Sequence, residues 1–364
     1  MMGKCKGEQK TLPFLGFPEK GGQRLKIDVI IPVYKPGQEL PVLLDRLQRQ
    51  TVPINKIILM NTEKQYFEEA SVKKYHNVEV HHLSRKEFDH GGTRHMAVQY
   101  SEADIFVLMT QDALPADRFL IERLTENLQV PAQGRGAEES GEQVPAQGRG
   151  AEVSGEQVPA VKSGNRVQVA AAYGRQMPQA GSSEWERISR NFNYPGESRI
   201  KTAEDLPVLG IKTFFCSNVC AAYRRDIYEK LGGFVRHTIF NEDMIYAAGV
   251  IRAGYGVAYE AGARVLHSHN YTGIQQLRRN FDLGVSQAEH PEVFEGVPSE
   301  AEGKRLVREV FRHLRREGRL YRFPGFCLQC CFKYVGYKLG RNYRRLPQRW
   351  ITSLSSNKEY WIQA

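Results

Sequence analysis

Four short polar clusters interrupt an otherwise apolar pattern, and their residue types can bind phosphate, hold a cation and move a proton. Thr110-Gln111-Asp112 follows five apolar residues, Ile105 to Met109. An unbroken apolar run of that length reads as a strand buried on both faces, stopped at Pro115. Open α/β sheets bind ligands at the carboxyl ends of their strands. Asp112 therefore stands where a metal ion or a phosphorylated substrate is expected, although its carboxylate can equally cap a helix beginning near Pro115. Asp89-His90-Gly91-Gly92-Thr93-Arg94 enters a helix. Glycines there permit close backbone approach, the helix N-terminus favours an anion and Arg94 adds a positive charge, but a tight turn is the plainer reading. Asn241-Glu242-Asp243 opens a helix, where a carboxylate can serve as a base or merely complement the dipole. Counted with that cluster are His267 and His269 downstream, two residues apart on one side of a strand, as ligands or as ordinary hydrogen-bonding residues. Pro32-Val33-Tyr34 closes the first strand.

The elements that must position these clusters alternate. Lys26 to Pro32, Lys56 to Met60 and Val78 to His82 read as strands. Pro36 to Gln50 reads as a helix with Leu40, Leu43, Leu44 and Leu47 on one face. Gly91 to Gln99 and Arg118 to Leu128 follow as helices, then Val167 to Tyr173 as a strand, a helix from Asn241 to about Ala253, and late strands at Gly256 to Glu260 and Arg264 to His269. This β-α-β-α order indicates a mostly parallel, doubly wound α/β sheet. Gln129 to Glu142 repeats as Gln143 to Glu156 with one difference, Glu139 against Val153. Its Gly, Pro, Glu, Gln and Ser content cannot bury a core, so it reads as a disordered insertion.

The net charge of +10 is concentrated. Lys304 to Arg349 holds 14 Lys and Arg against Glu309 and Glu317, or +12, which leaves about −2 for the rest of the chain. Such a module seeks an anionic partner. No nucleic-acid-binding module accompanies the charge, so a membrane surface is the expected partner and a packed, oligomer-forming helical pair the alternative. No apolar stretch is long enough to span a bilayer and no signal pattern opens the chain. The six cysteines suggest reduced thiols, and Cys327-Leu-Gln-Cys330 lacks a second pair at zinc-site spacing.

Phe88-Asp-His-Gly-Gly-Thr-Arg94, Thr110-Gln-Asp-Ala113, Tyr173-Gly-Arg-Gln176, Asn193-Tyr-Pro195, Phe215-Cys-Ser-Asn218, Glu242-Asp243 and His267-Ser-His-Asn-Tyr271 occur in that order. Together they resemble the family 2 glycosyltransferases with the GT-A fold, above all the bacterial rhamnosyltransferase-like subgroup. The resemblance implies a nucleotide-sugar-binding half over residues 26–128 and an acceptor-binding, catalytic half over 161–275. These are flanked by a polar tail (1–25), the insertion (129–160) and a basic helical extension (276–364). It implies that Pro32 and Tyr34 line the nucleotide and that Asn61 stands where an acidic base-recognition residue is usual. Asp89, Gly92, Arg94 and Gln111 would contact the donor. Asp112, with Thr110 in place of a second carboxylate, would hold Mg²⁺ or Mn²⁺ beside His267 or His269. Asp243 would be the base, and Ser217, Asn218 and Glu242 would face the acceptor. Gln276-Leu-Arg-Arg279 lacks the tryptophan of the family's processive synthases, which points to single-sugar transfer. The implied reaction moves L-rhamnose from dTDP-rhamnose to a lipid-linked saccharide, on the cytoplasmic face of the plasma membrane. A UDP-galactose or UDP-N-acetylglucosamine donor and a non-catalytic scaffold are the alternatives.

Overall fold

The computed structural model describes residues 19–20, 23–129, 167–297 and 300–362. Most of the polar tail and nearly all of the 14-residue repeat lie outside the described residues.

The expected alternation is present. β1 (Ile27–Tyr34), α1 (Glu39–Leu47), β2 (Lys56–Thr62), β3 (Val78–Leu83), α2 (His90–Gln99), β4 (Ile105–Met109), β5 (Leu114–Pro115) and α3 (Leu120–Thr125) form the first half. β6 (Val169–Met177), α4 (Glu184–Asn193), β7 (Arg199–Lys201), β8 (Cys220–Arg224), α5 (Arg225–Lys230), α6 (Glu242–Arg252) and β9 (Gly256–Leu266) form the second. α7 (Gly273–Glu289), α8 (Glu300–Arg316), α9 (Phe323–Arg341) and α10 (Gln348–Leu354) complete the described chain.

One nine-stranded sheet runs in the order β3-β2-β1-β4-β8-β6-β9-β5, with β7 also paired to β9. β1 to β4 are mutually parallel. β8 is antiparallel to both β4 and β6, so β6 runs with the first four, and β9 runs parallel to β6. Six strands thus share one direction, yet half of the strand pairings are antiparallel, because β5, β7 and β8 are reversed. The six aligned strands bring their carboxyl ends to one edge. The reversed β8 brings its amino end there, so Ser217 and Asn218 reach the same edge as Asp112.

Both faces of the sheet are covered, which explains the unbroken apolar runs. Ile27, Val29, Ile31 and Val33 of β1 pack with the four leucines of α1 and with Leu120 and Leu124 of α3. Ile30 on the other face packs with Ala97 and Val98 of α2 and Ala247 and Val250 of α6. Two strand boundaries differ from expectation. β4 ends at Met109 rather than Pro115, and Pro115 pairs with Val265 in β5 at the edge of the sheet, where a missing N–H is tolerated. The two late strands are one, β9, with an irregularity between Glu260 and Arg264.

The basic extension is helical, and α9 lies directly on α7. A Cβ on Gly340 would sit 2.0 Å from the Phe281 carbonyl oxygen, one on Gly336 2.1 Å from that of Leu277, and one on Gly284 2.4 Å from that of Tyr337. Hydrogen at these three positions is what lets the backbones touch. Gly340→Val is expected to force the helices apart and lower stability by about 3 kcal/mol, since overpacking a close contact typically costs 1–3 kcal/mol. Urea unfolding that leaves the midpoint unchanged would mean that α7 and α9 do not cross this closely.

Candidate active site

Asp112 follows β4 after a turn, and His267 and His269 follow β9. The Asp112 Oδ2 lies 3.4 Å from His267 Nε2 and 3.3 Å from His269 Nε2. One ligand atom from each of the three residues falls within 4.8 Å of the others. The carboxylate is therefore turned to the imidazoles and does not cap a helix. His267 is buried, and its Nδ1 lies 3.1 Å from the Gln176 side-chain carbonyl oxygen. That oxygen only accepts, so Nδ1 carries the proton and Nε2 presents a lone pair toward Asp112. Burial first, then His267, pushes the His269 imidazole down to about 4, leaving it neutral at pH 7. One anionic oxygen and two imidazole nitrogens converging at one point suit a divalent cation.

The second centre is the start of α6. Asp243 accepts from the backbone N–H of Asn218 (3.0 Å) and of Met244 (2.8 Å). Burial, and then the adjacent Glu242 charge, push its carboxyl up to about 7. Glu242, expected to face the acceptor, has its own partners in the fold. It is buried, 3.1 Å from the Arg94 guanidinium, and it accepts from the Asn218 side-chain amide at 3.0 Å. Its Oε1 is thereby engaged twice by the protein. Asn218 is buried too, accepting from the Tyr223 hydroxyl at 2.7 Å, and acts as a brace for both carboxylates. Asn241, just before the pair, adopts a left-handed φ of 65°, a conformation that asparagine tolerates better than most residues. Its amide donates to Ser286 of α7 at 3.2 Å, so the extension anchors the catalytic helix.

Gln176 joins the two centres. Its amide nitrogen donates to Ser217 Oγ at 2.9 Å and to the Tyr194 hydroxyl, while its oxygen accepts from Arg190 and His267. Gln176 belongs to the segment Tyr173-Gly-Arg-Gln176, which was its signal in the sequence; the strand, expected to end at Tyr173, runs on to Met177 and carries it inward. His269, the less expected histidine, stands on equal terms with His267.

The glycine-rich cluster is also used differently. Asp89 caps α2, accepting from the Gly91 and Gly92 N–H groups at 2.8 Å each, and it lies 3.1 Å from His237. A Cβ on Gly91 would lie 1.9 Å from the Val235 carbonyl oxygen, and one on Gly92 2.6 Å from that of Arg236. The backbone that approaches these glycines is the loop ahead of α6, not a phosphate. Arg94 is committed to Glu242, with its Nε buried and unpartnered. On the nucleotide side, Gln111 forms two hydrogen bonds with the Tyr34 backbone, at 2.9 and 3.1 Å. Tyr34 is exposed and Pro32 half-buried. Asn61 is fully buried, its amide 2.9 Å from His82 Nδ1, so it does not open onto a ligand.

Comparison with known proteins identifies the family. Residues 28–135 match Glycosyl transferase family 2. The O-antigen chain rhamnosyltransferase RfbN of Salmonella typhimurium LT2 is 35% identical over 341 residues, covering 93% of this chain and 96% of that protein. The chain is a family 2 glycosyltransferase. The O-antigen chain rhamnosyltransferase WbaN of Salmonella anatum is 34% identical over 338 residues, 92% of this chain and 95% of that one. Among solved structures, the mannosyltransferase PcManGT of Pyrobaculum calidifontis, in complex with GDP-Man and Mn²⁺, superposes with a TM-score of 0.50 at 15% identity. The superposition covers 97% of this chain and 89% of that one. At that identity the likeness supports the GT-A fold of this glycosyltransferase.

A base at Asp243 has a direct consequence for pH. A carboxyl raised to about 7 is protonated below that pH and ionised above it. The kcat/KM of sugar transfer is therefore expected to fall as pH drops through about 7 and to level off above it. A profile flat from pH 5 to 8 would exclude Asp243 as the base.

Proposed function

We propose that this glycosyltransferase is a metal-dependent, inverting rhamnosyltransferase. It moves L-rhamnose from dTDP-rhamnose to a lipid-linked saccharide in bacterial surface polysaccharide synthesis. The observation that carries this reading is the junction of Asp243 and the Asp112–His267–His269 cluster through Gln176, in a chain about one-third identical to two O-antigen rhamnosyltransferases.

The acceptor hydroxyl approaches the anomeric carbon from the face opposite the diphosphate. Asp243 takes the hydroxyl proton, the new C–O bond forms, and the bond to the diphosphate breaks with inversion. Asn218 and Met244 aim the Asp243 oxygens, and Arg94 offsets the neighbouring Glu242 charge so that a second buried carboxylate can persist. Asp112, His267 and His269 would hold a divalent cation, and the chemistry it would supply there is charge neutralisation for the departing nucleoside diphosphate. The imidazole ligands favour Mn²⁺ over Mg²⁺. Gln111, bonded to the Tyr34 backbone, fixes the strand end that would carry the nucleotide.

Asp243→Asn is expected to lower kcat by about 10²- to 10⁴-fold, the usual worth of a general base, with donor binding retained. A panel of dTDP-rhamnose, UDP-galactose and UDP-N-acetylglucosamine, each with Mn²⁺ and Mg²⁺, tests the donor. Turnover of a UDP-sugar alone would overturn the rhamnose assignment. Nucleotide binding without turnover of any donor would favour a scaffold.

The partner surface is an anionic bilayer on the cytoplasmic side. Among the described residues no helix is long and apolar enough to cross a membrane. Leu328, Cys331 and Val335 nevertheless form an exposed stripe along α9 at i, i+3 and i+7, with Leu328 60% exposed. Tyr321, 79% exposed, precedes the helix, and Arg344 and Arg345 follow it. Apolar contact flanked by cations is the pattern of an interfacial helix. The full chain is expected to sediment with phosphatidylglycerol-containing vesicles, and the double variant Leu328→Asp, Val335→Asp to remain in the supernatant. Equal sedimentation of both proteins would remove this face from consideration.

A further inference from the structure

Away from the two catalytic centres, the loop ahead of α6 and the elements around α10 border an open surface cavity of about 720 Å³. That volume lies within the range of small-molecule sites. Tyr343, Tyr360, Trp361, His237, Glu289 and Gln348 line it. Among the described residues no aliphatic side chain, lysine or arginine borders it. The lining therefore suits neither an acyl chain nor a phosphate. Aromatic faces combined with amide, imidazole and carboxylate edges match an uncharged pyranose, which has an apolar C–H face and a rim of hydroxyls.

The walls are pre-organised. Glu289 accepts from the Tyr343 hydroxyl at 3.0 Å and from the Tyr360 hydroxyl at 2.9 Å. Tyr360 stacks on His237 with ring centroids 4.5 Å apart and planes within 5°. Trp361 packs edge-on against Tyr360 at 5.3 Å. His237 lies six residues before Asp243 on the loop that docks against Gly91 and Gly92. The cavity thus shares its wall with the segment leading to the base.

We infer that this cavity is a saccharide subsite, taking an uncharged sugar of the acceptor at a distance from the hydroxyl that reacts. The inference rests on the proposed saccharide acceptor, and it assigns a binding role to residues far along the chain from the catalytic clusters.

The test uses the full-length protein and three probes: the methyl glycosides of L-rhamnose, D-galactose and N-acetylglucosamine. Saturation-transfer NMR is expected to detect at least one of them bound. Its affinity should fall about three- to tenfold, the worth of one hydrogen bond in Gln348→Ala or of part of an aromatic face in Trp361→Phe. Trp361→Phe keeps most of the packing, and Gln348 is exposed, so both variants should fold. Acceptor-independent hydrolysis of the nucleotide sugar should be unchanged. Absence of glycoside binding to the wild type, or equal affinity in both variants, would overturn the subsite. If the glycoside binds and the variants weaken it while no nucleotide sugar turns over, the subsite stands and the proposed reaction falls.

Discussion

Two neighbouring carboxylates at one buried helix start cannot both remain charged without compensation, and the active site is organised around that constraint. Arg94 meets Glu242 from α2, and the Asn218 side chain shares the load. Removing one partner of a buried pair leaves the other charge unsolvated and costs about 3–5 kcal/mol. The arginine can reach only because α2 lies against the loop ahead of α6, and that contact requires hydrogen at Gly91 and Gly92. With Glu242 held in place by Arg94, burial and then that neighbouring charge raise the Asp243 carboxyl to about 7.

The same economy appears at the cation site. With one carboxylate where two are usual, the remaining donors come from β9, a strand on the far side of β8 and β6 from β4. Gln176 on β6 sets the tautomer of His267 and at the same time positions Ser217 on the opposite flank. A change at this one amide would be felt at both centres, so their geometries are coupled through a neutral side chain.

Much of this was legible in the sequence for specific reasons. Asp112 and Asp243 announce themselves because each ends or begins an element with a strong apolar signature, and the helical face of α1 follows from leucines at 40, 43, 44 and 47. The direction of β8 was not legible, since alternation of apolar residues is the same whichever way a strand runs. The Arg94–Glu242 pair joins residues 148 positions apart, and no local pattern encodes it. Arg94 and Glu242 each looked like a ligand contact because an unpaired charge near a site always does. The cavity beside α10 draws on residues from 237 to 361, and the repeat of small residues that seats α9 on α7 makes sense only once both helices are in place.

The way the chain re-enters the sheet carries an evolutionary consequence. Val169 begins β6 at the edge away from Gln176, the residue that touches the catalytic network. Sequence added between α3 and β6 therefore joins the fold at the end remote from the ligands. Replication slippage there can lengthen the gene in whole units without shifting any residue of the site relative to its neighbours. The nearly identical copies at 129–142 and 143–156 are what such permissiveness would leave behind, and the junction is a natural port for fusing a reporter domain to this enzyme.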